Sequence, residues 1–279
     1  MHAVGESLSR TPALSARFVL PVSGVVVMLR EPTGVEDLLL ADQGIGDAAL
    51  VLTLAERLGR SEPAVDWAQL AVTDIDTLVM RLRQLVVGPR VSATINCGAP
   101  GCGSKAEFSF LINDYLEHQK PAQPKNRRGW SVAGCTAQPG WYQLQGPQGT
   151  QARFRLPALS DQMAVAGTAG AHNVLAARCI EPADSSARMR ARVETVMSKM
   201  APPLAGLLQG SCPDCGALIA AQFEARAFCL QELRYRARFI YDDIDTLAER
   251  YHWSEREILD LPQARRASYA ERARSARLA

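Results

Sequence analysis

Two short cysteine spacings constrain this chain more than any other feature: Cys97-Gly-Ala-Pro-Gly-Cys102 and Cys212-Pro-Asp-Cys215, with 109 residues between them. Thiols two to four residues apart on a tight turn can face one metal ion together, and Gly and Pro permit such a turn. Gly103 and Gly216 follow the second cysteine of each pair and release the chain from the turn. Two such turns supply the closed tetrahedral thiolate shell of a structural zinc site, with Zn–S bonds of about 2.3 Å. Cys97, Cys102, Cys212 and Cys215 would fill all four positions. No position is then left for water, so the expected zinc is structural and not catalytic. Two other readings compete. Cys212-Pro-Asp-Cys215 could be a thioredoxin-like redox pair, which needs a strand-to-helix context, whereas a strand is expected to follow. The pairs could also be buried and unrelated.

The wide separation makes sense if the chain contains two similar halves. A Val-rich strand over residues 18–30 ends at Pro32, and a strand over 152–156 ends at Pro157. Helical spacing follows in both places, over 35–58 and 160–179, each interrupted by a pair of glycines. Better helices cover 74–87 and 187–200. Strands over 91–96 and 106–110 flank the first cysteine pair, and strands over 207–211 and 218–223 flank the second. Phe110 and Phe223 each lie eight residues after Cys102 and Cys215, and Tyr115 and Phe228 each lie thirteen after. These matches predict an α+β fold of two related halves, 18–118 and 152–233, each contributing one knuckle to a shared ion. Residues 1–17 are expected to be a flexible N-terminus. Residues 119–151, rich in Pro, Gly and Gln, are expected to be a linker with a hairpin around Trp130 and Trp141.

Residues 234–279 match nothing in the first half and form a helical C-terminal extension. Phe239, Ile240, Ile244, Leu247 and Tyr251 mark one amphipathic helix, expected to continue the helix before it. Ser254-Glu-Arg-Glu257 reads as a capping box that starts another. An Arg-rich helix closes the chain, with too few apolar residues to fold alone, and is expected to dock on a partner. Asp242, Asp243 and Asp245 are expected to lie on a solvated helix face.

Composition narrows the function classes. Apolar residues make up 47% and charged residues 22%, a globular balance. A net charge of +2 gives no bulk reason to bind nucleic acid or an anionic membrane. No signal peptide or membrane span is read, so a cytoplasmic protein is expected. The count of seven cysteines is odd, which argues against a disulfide framework, and Cys135, Cys179 and Cys229 read as buried fillers. None of the four histidines pairs with a suitably spaced acid or nucleophile, so no catalytic group and no small-molecule substrate is assigned.

The run from Ile244 to Pro262, IDTLAERYHWSEREILDLP, with Arg265, Arg266 and Tyr269 after it, resembles the end of baseplate proteins of contractile phage tails. That is the family of the T-even baseplate hub subunit, which also has relatives in phage-derived contractile injection systems. The strand and Pro-Thr-Gly turn up to Gly34, and the Cys-x-x-Cys-Gly knuckle before the terminal helices, are similar too. The first knuckle departs from the pattern, being four residues wide. The resemblance implies a structural or assembly component whose partners are other baseplate or hub proteins, with zinc stiffening the fold. The alternative from another class is a zinc-ribbon protein that binds nucleic acid or regulates, and it would show a concentrated basic patch with exposed aromatics.

Overall fold

The computed structural model describes residues 15–124 and 129–278. It is a mixed α+β structure with small antiparallel sheets. Strands β1 (Ser15–Val19), β2 (Val26–Arg30) and β3 (Gly59–Glu62) form a three-stranded sheet in that order. Helices α1 (Gly34–Ala41) and α2 (Asp47–Leu58) connect β2 to β3, and α3 (Val72–Val86) follows. Strands β4 (Arg90–Asn96) and β5 (Lys105–Leu111) make a hairpin, closed by the short helix α4 (Ile112–His118).

The chain continues with β6 (Ser131–Gly134), β7 (Trp141–Gln145), β8 (Gln151–Arg155) and β9 (Ile180–Glu181), a four-stranded antiparallel sheet in that order. Part of the expected linker is therefore sheet, since β6 and β7 are the hairpin between Trp130 and Gln145. Helices α5 (Leu159–Val165) and α6 (Ala171–Cys179) lie between β8 and β9, and α7 (Ala187–Met200) comes next. The hairpin of β10 (Ala205–Ser211) and β11 (Leu218–Glu224) leads into α8 (Ala225–Ala237). Residues 1–14 of the expected flexible N-terminus lie outside the described residues, and Ser15 already belongs to β1.

One device recurs where a strand gives way to a helix. Thr33 caps α1, and the Glu36 carboxylate accepts its N–H at 3.0 Å and the Arg30 guanidinium at 2.8 Å. At the start of α5, the Asp161 carboxylate accepts the Ala158 N–H at 3.0 Å and the Arg155 guanidinium at 2.8 Å. Each acid satisfies an orphan donor of its helix while neutralising the last arginine of the preceding strand. Glu36 and Asp161 are both buried. Burial works against the charge of Asp161, but Arg155, the Ala158 N–H and Arg178 outweigh it and hold its pKa down to about 2.

The largest core crosses between the halves. Leu29, Leu54, Ile75, Leu78 and Leu82 from the first meet Leu159, Phe223, Cys229, Leu230 and Leu233 from the second. Helix α8 packs along α3, and charge pairs flank this apolar contact. Arg83 forks onto Glu232 at 2.7 and 3.1 Å, and Arg226 reaches Asp76 at 2.6 Å. Main-chain bonds from Val72 to Pro157 and from Leu159 to Leu70, both 3.1 Å, tie the halves further. A separate core lies under the second sheet, where Phe154, Ile180, Val193 and Met197 pack together.

Beyond α8 the chain differs from two expectations. The expected continuous helix breaks at Arg238 and Phe239, so α9 (Ile240–Tyr251) is a separate helix. Helix α10 (Glu255–Leu259) starts at the capping box of Ser254 and Glu257, in keeping with the sequence pattern. The Arg-rich helix α11 (Gln263–Leu278) then folds back onto α9. Ala270 packs with Leu247 and Ile258, and Tyr269 stacks edge-on against Trp253 at 5.1 Å. Arg266 is only 1% exposed; it pairs with Asp37 of α1 and, at 3.3 Å, with Asp243 of α9. Arg274 adds a second bond to Asp243 at 2.8 Å. Asp243 is therefore a buried acceptor and not part of a solvated face, and the inner side of α11 is bound to its own chain.

Arg266→Ala leaves the buried Asp37 without its cation and Asp243 with Arg274 alone, and the expected cost is about 3–5 kcal/mol in urea unfolding; a loss below about 1 kcal/mol would contradict the buried triad. Asp161→Asn is expected to cost about 2 kcal/mol at pH 7. Because the folded pKa of Asp161 lies below its unfolded value, that difference should hold above about pH 4 and shrink as the pH falls towards 2. A difference independent of pH between 2 and 7 would show that Asp161 is not held ionised.

Candidate metal centre

The two hairpins place the cysteines. In each, the first cysteine extends the ladder by one pair: Cys97 N–H donates to the Ser104 carbonyl at 2.7 Å, and Cys212 N–H to the Ala217 carbonyl at 2.8 Å. The chain then turns within a few residues, and Gly103 (φ 60°) and Gly216 (φ 70°) hold the left-handed conformation that ends each turn. An L side chain there is strained, which explains glycine at both positions.

The hairpins face each other. Alternation along the strands points Val91, Ile95, Ala106, Phe108 and Phe110 of one, and Leu208, Ile219 and Phe223 of the other, inward. Gly210 lies under the Phe108 ring. At the base, Phe110, Tyr115 and Phe223 form a triangle of rings with centroids 5.1–5.3 Å apart, and Phe228 joins Phe223 at 5.5 Å. The four aromatics matched by their offsets from the cysteines thus meet in space. At the tip, Cys97, Cys212, Ala106 and Ile219 form a small cluster of their own.

All four predicted ligands converge there. Their sulfurs lie within 4.8 Å of one another. The closest approaches cross between hairpins, Cys97 to Cys215 at 3.7 Å and Cys102 to Cys212 at 3.8 Å. A tetrahedron of sulfurs around an ion at about 2.3 Å has edges of about 3.8 Å, so the spacing suits four-coordinate thiolate binding. All four are free thiols, and Cys135, Cys179 and Cys229 lie away from them.

Local donors and the crowded sulfurs pull in opposite directions: the neighbouring sulfurs raise Cys97 and Cys215, and Cys102 alone is lowered. Main-chain N–H groups point at three of the sulfurs: Ala99 at Cys97, Ser104 at Cys102 and Ala217 at Cys215. The Ser104 side chain, 3.3 Å from Cys102 Sγ, is the largest cause of a Cys102 pKa lowered to about 6. Four thiols this close cannot all ionise without a cation. At Cys215 the Ala217 N–H favours the charged form, but the neighbouring sulfurs prevail and push its pKa up to about 12. A divalent ion removes that conflict. Sequence reasoning does not single out Ser104; its position two residues after Cys102 is the available signal. The redox reading fails on local structure. Strand β11 follows Cys215, so no helix N-terminus lies at the thiols to activate one of them.

The centre can hold a metal ion through four thiolates. It is not the only contact between the regions, because the α3–α8 core and its charge pairs lie outside it. The four sulfurs come two from each region, as the expectation of one shared ion requires, and they meet at the tips of the two hairpins. Protein purified under reducing, chelator-free conditions is expected to carry one divalent ion per chain. Cobalt in its place should give the intense visible bands of tetrahedral thiolate coordination, and Cys212→Ser should abolish them. Chelation is expected to leave the helical far-UV signal intact while amide exchange at residues 97–104 and 212–217 accelerates; global unfolding on chelation would show that the ion carries the whole fold.

Among the described residues, no other group of cysteine, histidine and carboxylate side chains is arranged to hold a metal ion, and no helix is long and apolar enough to cross a membrane. No family model, curated protein or solved structure matches the chain.

Proposed function

We propose that this chain is a structural or assembly subunit of a contractile baseplate, in a phage tail or a related injection particle. One zinc ion on Cys97, Cys102, Cys212 and Cys215 would stiffen it. The observation that carries the assembly reading is the run Ile244 to Pro262 with Arg265, Arg266 and Tyr269, which resembles the end of that baseplate family. Leu247, Trp253, Ile258 and Tyr269 of that run pack into one cluster, so the resembling residues serve a common core. Zinc is the ion proposed because four thiolates in a closed tetrahedral set suit a soft, redox-inert cation. The work of such a subunit is contact with other baseplate or hub proteins, made during assembly in the cytoplasm. No nucleic acid, membrane or small molecule enters this reading.

The halves are, in this reading, copies of one ancestral unit. Support comes from the order strand, strand, two helices, strand, helix, hairpin, helix, which runs from β1 to α4 and again from β7 to α8. The Arg30–Glu36 and Arg155–Asp161 devices occupy the same place in that order. The α9–α11 extension follows only the second copy.

Deletion of the coding sequence from the genome that carries it tests the function. Sheath and tube proteins should still be made, but electron microscopy should find no complete particles, and the wild-type chain supplied in trans should restore them. Normal particles in the deletion strain would overturn the proposal.

A further inference from the structure

The buried and half-buried arginines described above each meet a carboxylate. Arg83 meets Glu232, Arg155 meets Asp161, Arg226 meets Asp76, and Arg266 meets Asp37 and Asp243. Arg81 does not. It lies on α3 two residues before Arg83 and is half-buried. Its guanidinium has neutral partners from three elements. Nη1 donates to Gln84 Oε1 of α3 at 2.7 Å and to Asn113 Oδ1 of α4, and the centre of the Phe18 ring of β1 lies 5.9 Å from the guanidinium carbon. The buried Nε–H has no hydrogen-bond partner. Burial pushes the Arg81 pKa below the ordinary guanidinium value, and no carboxylate acts against it. A cation withdrawn from water without an anion is costly, so this position is short of one negative charge.

The surface there is concave. A cavity of about 630 Å³ is lined by Arg17 and Phe18 of β1, Arg81, Gln84 and Leu85 of α3, and Asn113 of α4. That volume falls within the range of small-molecule sites, about 300–1,000 Å³. Arg17 is exposed and makes no ion pair among the described residues. Glu117, also on the wall, is bonded to Lys120. Two arginines thus share a cavity whose acid is already paired. Phe18 and Leu85 pack against the main core and add apolar surface to the same wall.

We propose that this cavity binds a small organic oxyanion, a carboxylate or phosphate carried on a short apolar stem. Arg81 is the anchor. Gln84 and Asn113 hold its guanidinium plane through Nη1, and an oxyanion of either kind pairs with the remaining donors of such a fork. Arg17 adds a second positive charge on the same wall, and the stem packs on Phe18 and Leu85. A neutral ligand of the same shape gains the apolar contact alone and leaves Arg81 without its anion. An acidic side chain of a neighbouring protein offers the same chemistry, but a cavity of this volume suits a free molecule that fills it. The proposal does not rest on the baseplate reading.

The test is an NMR titration of the full metal-loaded chain with 3-phenylpropionate, phenyl phosphate and the neutral 3-phenylpropionamide. One of the two anions or both should shift the Arg81 Nε–H and the Asn113 side-chain amide signals to saturation, and the tighter of them names the oxyanion. The amide should bind about tenfold more weakly or worse. Arg81→Gln should weaken the anion by about tenfold or more, and Arg17→Gln should weaken it several-fold. Arg188→Gln on α7 should leave binding unchanged. The far-UV signal checks that each variant folds; should Arg81→Gln fail to fold, the exposed Arg17 substitution and the amide comparison decide. No saturable shift with either anion, equal binding of the amide, or binding indifferent to the arginine substitutions would overturn the proposal. So would tighter binding of acetyl-Ala-Glu-Ala-amide than of either small anion, since the occupant would then be an acidic side chain of a partner.

Discussion

The contact between α3 and α8 is the one on which the other features depend. Leu78 and Leu82 on one helix and Leu230 and Leu233 on the other are withdrawn from water together, in a core that includes residues from both halves. Burial of each such side chain is worth about 1.5–3 kcal/mol, which makes this contact the main force holding the halves in register. The Arg83–Glu232 and Arg226–Asp76 pairs add geometric specificity more than net stability, since much of their attraction offsets desolvation. Each pair has one partner on either helix, so a slip of one helix along the other would strand a charge.

Once that contact is set, the two hairpins have little freedom. Helix α4 follows one and α8 follows the other, and their inward faces close over the Phe110, Tyr115 and Phe223 rings. Convergence of the four sulfurs is then a consequence of packing at the base, some seven residues down each ladder. The centre consequently suits a stiffening role. It lies at the free ends of two narrow ribbons, where unsupported strands are only marginally stable.

The C-terminal extension obeys a different logic. Its last helix has few large apolar residues, and it is held by a guanidinium sunk between two carboxylates from α1 and α9. Arg can serve there because its planar fork bonds two acids at once and stays charged when buried. The arrangement ties α11 to α1.

The elements are largely legible in the sequence because local periodicity and punctuation decide them. Val91 to Phe110 alternates about a Gly- and Pro-bearing turn, 187–200 carries a helical stripe, and Ser254 announces its capping box. The ligand set is legible for the same reason: thiols on two tight turns are a local pattern. The short strands β3 and β9 escape such a reading, since Gly59–Glu62 is polar and Ile180–Glu181 has two residues, and both exist only because a longer strand lies beside them. The burial of Asp243 and Arg266 is hidden as well. An exposed and a buried arginine look alike in a sequence, and only the approach of α1 to α9, far apart along the chain, decides which one loses its water. The cysteine spacings alone determined that this chain can present four thiolates in pairs. That the two pairs meet follows from long-range packing of apolar faces, which carries no local signature.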